Sequence, residues 1–130
     1  GVPLDIIISN SSGRPIYDQI SEQIKEKILT GQLEEGEALP SMRLLAKELR
    51  ISVITTKRAY EELERDGFIV TMTGKGSFVA EENTEAVREE YLKRIEEHIG
   101  EIVRLSVSCH LGLEDIKEMV TLAYEEERDE

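Results

Sequence analysis

The sequence predicts a mainly α-helical chain with one small β-hairpin. Three helices come before the hairpin and two after it. Three observations carry this prediction. Apolar residues recur every three or four positions in five separate stretches. Residues 68–79 instead read as two short strands around a glycine-rich tip. A glycine or a short polar break separates each stretch from the next.

At the N-terminal end, Asp5-Ile6-Ile7-Ile8-Ser9 is β-branched and bounded by Asn10-Ser11-Ser12-Gly13, which predicts a short strand and a turn. Pro15 then precedes an amphipathic run. Ile16, Ile20, Ile24 and Ile28 recur every fourth residue, with Tyr17 and Leu29 beside them and Gln, Glu and Lys on the other face. This is a helix over 16–30, stopped by Gly31. Residues 31–40, with Gly31, Gly36 and Pro40, form a loop. Ser41 is the expected N-cap of a second helix whose apolar side is Leu44, Leu45, Ala46 and Leu49. Arg50-Ile51-Ser52 is a short break, and Ser52 caps a third helix over 53–66 with Ala59, Tyr60 and Leu63 facing inward. Gly67 ends it. Phe68-Ile69-Val70-Thr71 and Ser77-Phe78-Val79 pair across Met72-Thr73-Gly74-Lys75-Gly76. After Glu81-Glu82-Asn83 the helical period returns. Val87, Tyr91, Ile95, Ile99 and Ile102 mark a helix to about residue 108. Leu111-Gly112 turns the chain, and Leu113, Ile116, Val120 and Ala123 mark a last helix with an acidic end at 125–130, expected to fray.

The chain has 130 residues, enough for one compact domain or a small domain with an attached helical segment. With no Trp, two Phe and four Tyr, the core must be built of Leu, Ile and Val, and self-association is expected to enlarge it. The net charge of −12 is unevenly spread. Residues 1–80 carry ten basic and twelve acidic groups, whereas residues 81–130 carry six and sixteen. Within 41–58, Arg43, Lys47, Arg50, Lys57 and Arg58 face only Glu48. An anion-binding face is therefore compatible with an acidic chain. The single cysteine, Cys109, excludes an intrachain disulfide and fits a reducing, cytoplasmic setting; it is expected to be a small buried residue. The apolar runs are far too short to span a membrane, and no signal peptide is visible. Gly1, in place of an initiator Met, reads as a scar of processing or expression.

Three helices leading into a hairpin is the layout of a winged helix-turn-helix. In that arrangement one helix crosses the phosphates and the next enters a major groove. The stretch Pro15–Val79 resembles the DNA-binding domain of GntR-family bacterial transcription regulators. The matching residues are Pro15-Ile16-Tyr17, Gln19-Ile20, Ile28, Gly31, Leu39-Pro40-Ser41-Met42-Arg43-Leu44-Leu45-Ala46, Thr55, Arg58-Ala59-Tyr60, Leu63, Asp66-Gly67-Phe68-Ile69 and Gly74-Lys75-Gly76-Ser77-Phe78-Val79. They cover half the chain in the family's order and spacing. The short helical tail resembles the YtrA-like subfamily, in which such tails mediate dimerisation. The expected organisation is a DNA-binding domain with its N-terminal strand over 1–80 and a helical-hairpin dimerisation domain over 81–130.

The resemblance implies that Arg43 reaches a guanine edge, for which its bidentate fork is suited; the alternative is a surface ion pair with Glu48 or a neighbour. Ser41 caps its helix and can also donate to a phosphate. The start of the third helix is implied to lie in the major groove, which makes Ser52, Val53, Ile54, Thr55, Lys57 and Arg58 candidate contacts. Val53 and Ile54 depart from the family's more polar pattern. They either pack on thymine methyls, or one of them turns into the core. Thr73, Gly74, Lys75 and Gly76 form the wing tip, where small residues permit close backbone approach and Lys75 supplies charge; the alternative is an ordinary turn. Tyr17, Tyr60, Phe68 and Phe78 follow apolar faces and are assigned to packing.

Other chemistry is weakly represented. His98 and His110 lack partners at metal-ligand spacing, even with Cys109 beside His110. Gly74-Lys75-Gly76 lacks P-loop spacing. The Glu pairs at 61–62, 81–82, 89–90 and 96–97 read as solvated helix surface. No enzymatic activity, cofactor or metal is expected. The tail stripe of Val87, Tyr91, Ile95, Ile99 and Ile102, with Ile116 and Val120 of the last helix, needs a cover. A second copy related by a two-fold axis supplies one. The function these readings predict is a homodimeric, sequence-specific regulator, a repressor, bound to double-stranded DNA at an inverted repeat. The alternative is a winged-helix protein-interaction module that does not bind DNA, motivated by the charge of −12.

Overall fold

The structure, a computed structural model, describes residues 4–81 and 84–128. Gly1, Glu82 of the 81–82 pair and the last two residues of the acidic end lie outside the described residues. The elements run α1 (Ile16–Leu29), α2 (Met42–Leu49), α3 (Val53–Arg65), β1 (Ile69–Met72), β2 (Gly76–Val79), α4 (Thr84–Ser108) and α5 (Leu113–Arg128). The chain divides into two compact units, Gly1–Glu89 and Glu90–Glu130.

In the first unit α3 packs against both α1 and α2. Ile20, Ile24, Leu45, Ala59 and Leu63 are fully enclosed there, and Phe68, Ile69 and Val79 of the hairpin close the core. β1 and β2 pair antiparallel with Ile69 opposite Val79 and Met72 opposite Gly76. The loop before α2 adds an edge the sequence did not announce. Ala38 bridges Phe78, Leu39 N–H donates to the Ser77 carbonyl at 2.9 Å, and Val79 N–H donates to the Glu37 carbonyl at 2.9 Å. Tyr60 and Phe68 are core residues as expected, while Tyr17 and Phe78 are half-buried. Lys25 is also buried. Its ammonium lies 2.9 Å from Asp66 and 5.4 Å from the Phe68 ring centroid, which ties α1 to the end of α3.

The strand expected at 5–9 does not form. A β-branched run becomes a strand only against a partner edge, and none is offered. Two glutamine side chains on α1 stand in for one. Gln23 accepts from Ile7 N–H at 2.9 Å and donates to the Ile7 carbonyl at 2.6 Å. Gln19 does the same for Ser9, at 2.8 and 2.9 Å. The segment is thereby pinned to α1, and Ile6 seats in the core.

Helix boundaries follow local chemistry. Ser41 accepts from Leu44 N–H and Ser52 from Thr55 N–H, each at 3.1 Å, satisfying donors that the first turn leaves free. α2 ends at Arg50 in the left-handed region (φ 57°, ψ 48°), and Ile51 N–H reaches back to the Ala46 carbonyl at 3.0 Å. This is a Schellman closure made without glycine. It turns the chain sharply from α2 into α3.

In the second unit the same closure recurs at His110 (φ 62°), with Leu111 N–H donating to the Ser106 carbonyl at 2.9 Å. Asp115 accepts from Gly112 N–H at 2.9 Å and starts α5. α4 and α5 follow one another across this turn without the packed contact that joins α1 to α3. Tyr91, Ile95, Ile99, Ile102 and Val120 are exposed, with Ile116 half-buried. Val87 differs from the rest of its predicted stripe, because it packs on the core of the first unit. Cys109 is exposed rather than buried, since it lies in the turn that follows α4.

Candidate nucleic-acid interface

α2 carries its cations on one face. Arg43 and Lys47 are one turn apart, both are exposed, and neither has an ion-pair or side-chain hydrogen-bond partner among the described residues. The alternative pairing of Arg43 with Glu48 is not formed. Arg50, at the left-handed corner, is likewise exposed and unpaired. Lys47 and Arg50 stood in the basic cluster of the sequence but outside the candidate contact set. Their shared exposure with Arg43 adds them to it.

The first turn of α3 is organised by hydroxyls. Ser52 Oγ lies 2.8 Å from Thr55 Oγ1, and Thr56, fully buried, donates to the Ser52 carbonyl at 3.3 Å. Val53 and Ile54 both point away from the core, at 44% and 80% exposure. The open choice between an outward and an inward position is thus resolved outward for both. Further along the exposed face, Lys57 is loosely paired with Glu61 at 3.9 Å. Arg58 is more constrained than its sequence position suggested. Its guanidinium lies 3.8 Å from the Tyr17 ring centroid and donates to the Tyr17 hydroxyl at 3.1 Å. The partners are 41 positions apart, and no local pattern links them.

Two fixed points hold α2 and α3 in place. One is the cap at Ser52. The other is Tyr60, which donates from its enclosed hydroxyl to the Pro40 carbonyl at 2.7 Å, fixing the entry of α2 to the middle of α3. Burial pushes that hydroxyl well above the usual tyrosine range, and the Glu48 carboxylate adds to the shift.

At the wing, Lys75 N–H closes a turn on the Met72 carbonyl at 2.9 Å, and Gly74 takes φ +78° where an L side chain would be strained. Thr73, Gly74, Lys75 and Gly76 are all exposed, and a Cβ at either glycine would meet nothing within 4 Å. The tip therefore offers bare backbone and one ammonium, unpaired among the described residues, to an approaching surface. Among the described residues no cluster of three or more His, Cys, Asp or Glu is placed to hold a metal ion, and no helix is long and apolar enough to cross a membrane.

A helix-turn-helix with a cationic first face, an open second-helix start and a two-stranded wing defines a winged-helix DNA-binding protein. The family follows from comparison with known proteins. Residues 16–79 match the bacterial regulatory proteins of the gntR family. The chain is also 34% identical over 115 residues to the HTH-type transcriptional repressor YtrA of Bacillus subtilis (strain 168), covering 88% of each. This protein belongs to the GntR family of transcriptional regulators, which are not enzymes. Among solved structures, a transcriptional regulator from Oenococcus oeni matches 90% of this chain and 97% of its own, with a TM-score of 0.72 and 29% identity. The GntR-family transcription factor YtrA from Sulfolobus acidocaldarius matches 71% of this chain and 97% of its own, with a TM-score of 0.58 and 36% identity.

Proposed function

We propose that this protein is a sequence-specific transcriptional repressor that binds an inverted-repeat operator as a homodimer, with residues 1–80 on the DNA and residues 81–130 joining two copies. The observation that carries the reading is the set of unpaired, exposed cations (Arg43, Lys47, Arg50 and Lys75) around the exposed start of α3. In a chain of charge −12, cations left unpaired on the helix-turn-helix and the wing favour a polyanion as their partner. Arg43 is the base reader. Ser41 donates to a phosphate beside it, as does whichever of Ser52 and Thr55 keeps its hydroxyl proton free of their mutual 2.8 Å bond. Lys57, Arg58 and Lys75 neutralise the backbone, and Thr73, Gly74 and Gly76 let the wing approach it. The exposed apolar residues Tyr91, Ile95, Ile99, Ile102 and Val120 support the dimer, since a second copy covers them. The sign of regulation is supported by the repressor name of the B. subtilis relative. The proposed setting is the cytoplasm, where the free Cys109 stays reduced, and the reading requires no cofactor.

Fluorescence anisotropy tests it, with the DNA upstream of this protein's own gene against a scrambled duplex at several salt concentrations. If three to five cations per protomer meet phosphates, log K falls against log salt with a slope of about −5 to −9 for the dimer. Absence of binding to either duplex at low salt would replace this reading with the protein-interaction module.

A further inference from the structure

The first turn of α3 is poor in free hydrogen-bonding groups. Ser52 Oγ already accepts from Thr55 N–H at 3.1 Å and pairs with Thr55 Oγ1 at 2.8 Å. Thr56 is buried and bonded to the Ser52 carbonyl. What this turn presents outward is Ile54, at 80% exposure, with Val53 beside it. Leu44 of α2 and, outside the helices, Ile7 are exposed too, but Ile54 is the most exposed large aliphatic side chain on α1, α2 and α3, a cost to leave in water at the tip of a helix. Lys57 and Arg58 stand three and four residues further along the same helical face. An apolar tip flanked by cations fits a surface that is anionic at its edges and carries a methyl group between them. In a DNA major groove that methyl group is the C5-methyl of thymine, the only apolar group on a base edge there.

We propose that Ile54 is a specificity-determining residue that reads a thymine C5-methyl in each half-site, so that the operator is selected partly by apolar contact. This rests on the DNA-binding reading above and adds to it the base that the start of α3 prefers.

The test uses the full-length protein and a duplex it has itself selected from a randomised pool. Each thymine of one half-site is replaced in turn by deoxyuridine, which removes only the methyl group. Burying one methyl corresponds to about a fourfold change in affinity. The expected result is one position at which deoxyuridine weakens wild-type binding about fourfold while the others change little. In Ile54→Ala that position becomes indifferent to the methyl, and the salt slope stays at its wild-type value because no phosphate contact is lost. Ile54 is exposed, so the variant keeps its fold, which circular dichroism verifies. Three outcomes overturn the proposal while leaving DNA binding intact: wild-type affinity insensitive to every deoxyuridine, discrimination that survives in Ile54→Ala, or selected sites with no invariant thymine. Failure of the wild type to select any duplex overturns the DNA-binding reading itself, and this proposal with it.

Discussion

Tyr60→Phe isolates one hydrogen bond that holds the helix-turn-helix together. The ring is fully enclosed and its hydroxyl is bonded to the Pro40 carbonyl at 2.7 Å, immediately before the cap of α2. Phenylalanine fills the same space, so no cavity opens. What is lost is one bond, worth about 1 kcal/mol net, plus the cost of a half-buried carbonyl left without a partner, for a total of about 1.5–2 kcal/mol. The same hydroxyl makes the difference depend on pH. Its folded-state value is raised above the ordinary 10.0, first by burial and then by Glu48. The unfolded chain therefore loses this proton first. The stabilisation is fully present below pH 10 and falls above it by about 1.4 kcal/mol per pH unit. Urea unfolding followed by circular dichroism, at one fixed protein concentration, should show a lower midpoint and an unchanged m-value for the variant at pH 8. The two proteins should converge roughly one unit above pH 10. Equal midpoints at pH 8, or a difference that stays flat from pH 8 to 11, would refute the account of Tyr60 as a buried, neutral donor.

Three further outcomes follow from the same coordinates. Arg43→Ala should weaken binding to a selected duplex by about 1–3 kcal/mol and relax base preference, measured by competition with single-base variants; unchanged discrimination removes Arg43 from the readers. Arg50→Gly should stabilise the protein by about 1 kcal/mol, because glycine adopts the left-handed corner without penalty. It should also make the salt slope shallower by about 1 per protomer if Arg50 meets a phosphate, and thermal melting with a salt titration reads both. Ile95→Glu with Ile99→Glu should yield a monomer by light scattering at micromolar concentration, with operator affinity lower by at least about 100-fold because two tethered heads become two independent ones.

The sequence disclosed elements that carry their own periodicity. α1, α3 and α4 were readable from apolar spacing, and the caps at Ser41 and Ser52 from residue type and position, because those interactions reach no further than one turn. What stayed hidden depends on distant parts of the chain. The β-branched run at 5–9 looks like a strand in isolation. It is no strand because the groups that satisfy it are the amides of Gln19 and Gln23, which as sequence are simply polar residues on a helix surface. The stack of Arg58 on Tyr17 joins residues from α3 and α1, so Arg58 looked like a free cation. Arg50 in a conformation that usually calls for glycine left no trace in composition. The site was legible as a region, because the cations cluster between 41 and 58. Which of them are unpaired needed the fold.

The division of apolar surface between the two units also bears on how the acidic charge is to be understood. The first unit encloses a core of large aliphatic residues around α3 and keeps a charge near balance, with single exposed apolar side chains such as Ile7, Leu44 and Ile54 scattered over its surface. The second unit does the reverse. The acidic groups along α4 and α5 share those helices with isoleucines, leucines and valines that remain exposed. Acidic groups exclude DNA as the cover for those side chains, and apolar groups exclude plain solvation as the reason for the helices. An identical helical pair satisfies both conditions, because a two-fold axis can bring the apolar stripes together and leave the carboxylates outside. In the proposed dimer, the net charge of −12 is then the charge of a solvated outer face around a core shared by two copies. It says nothing against nucleic acid at the head, where the unpaired cations are.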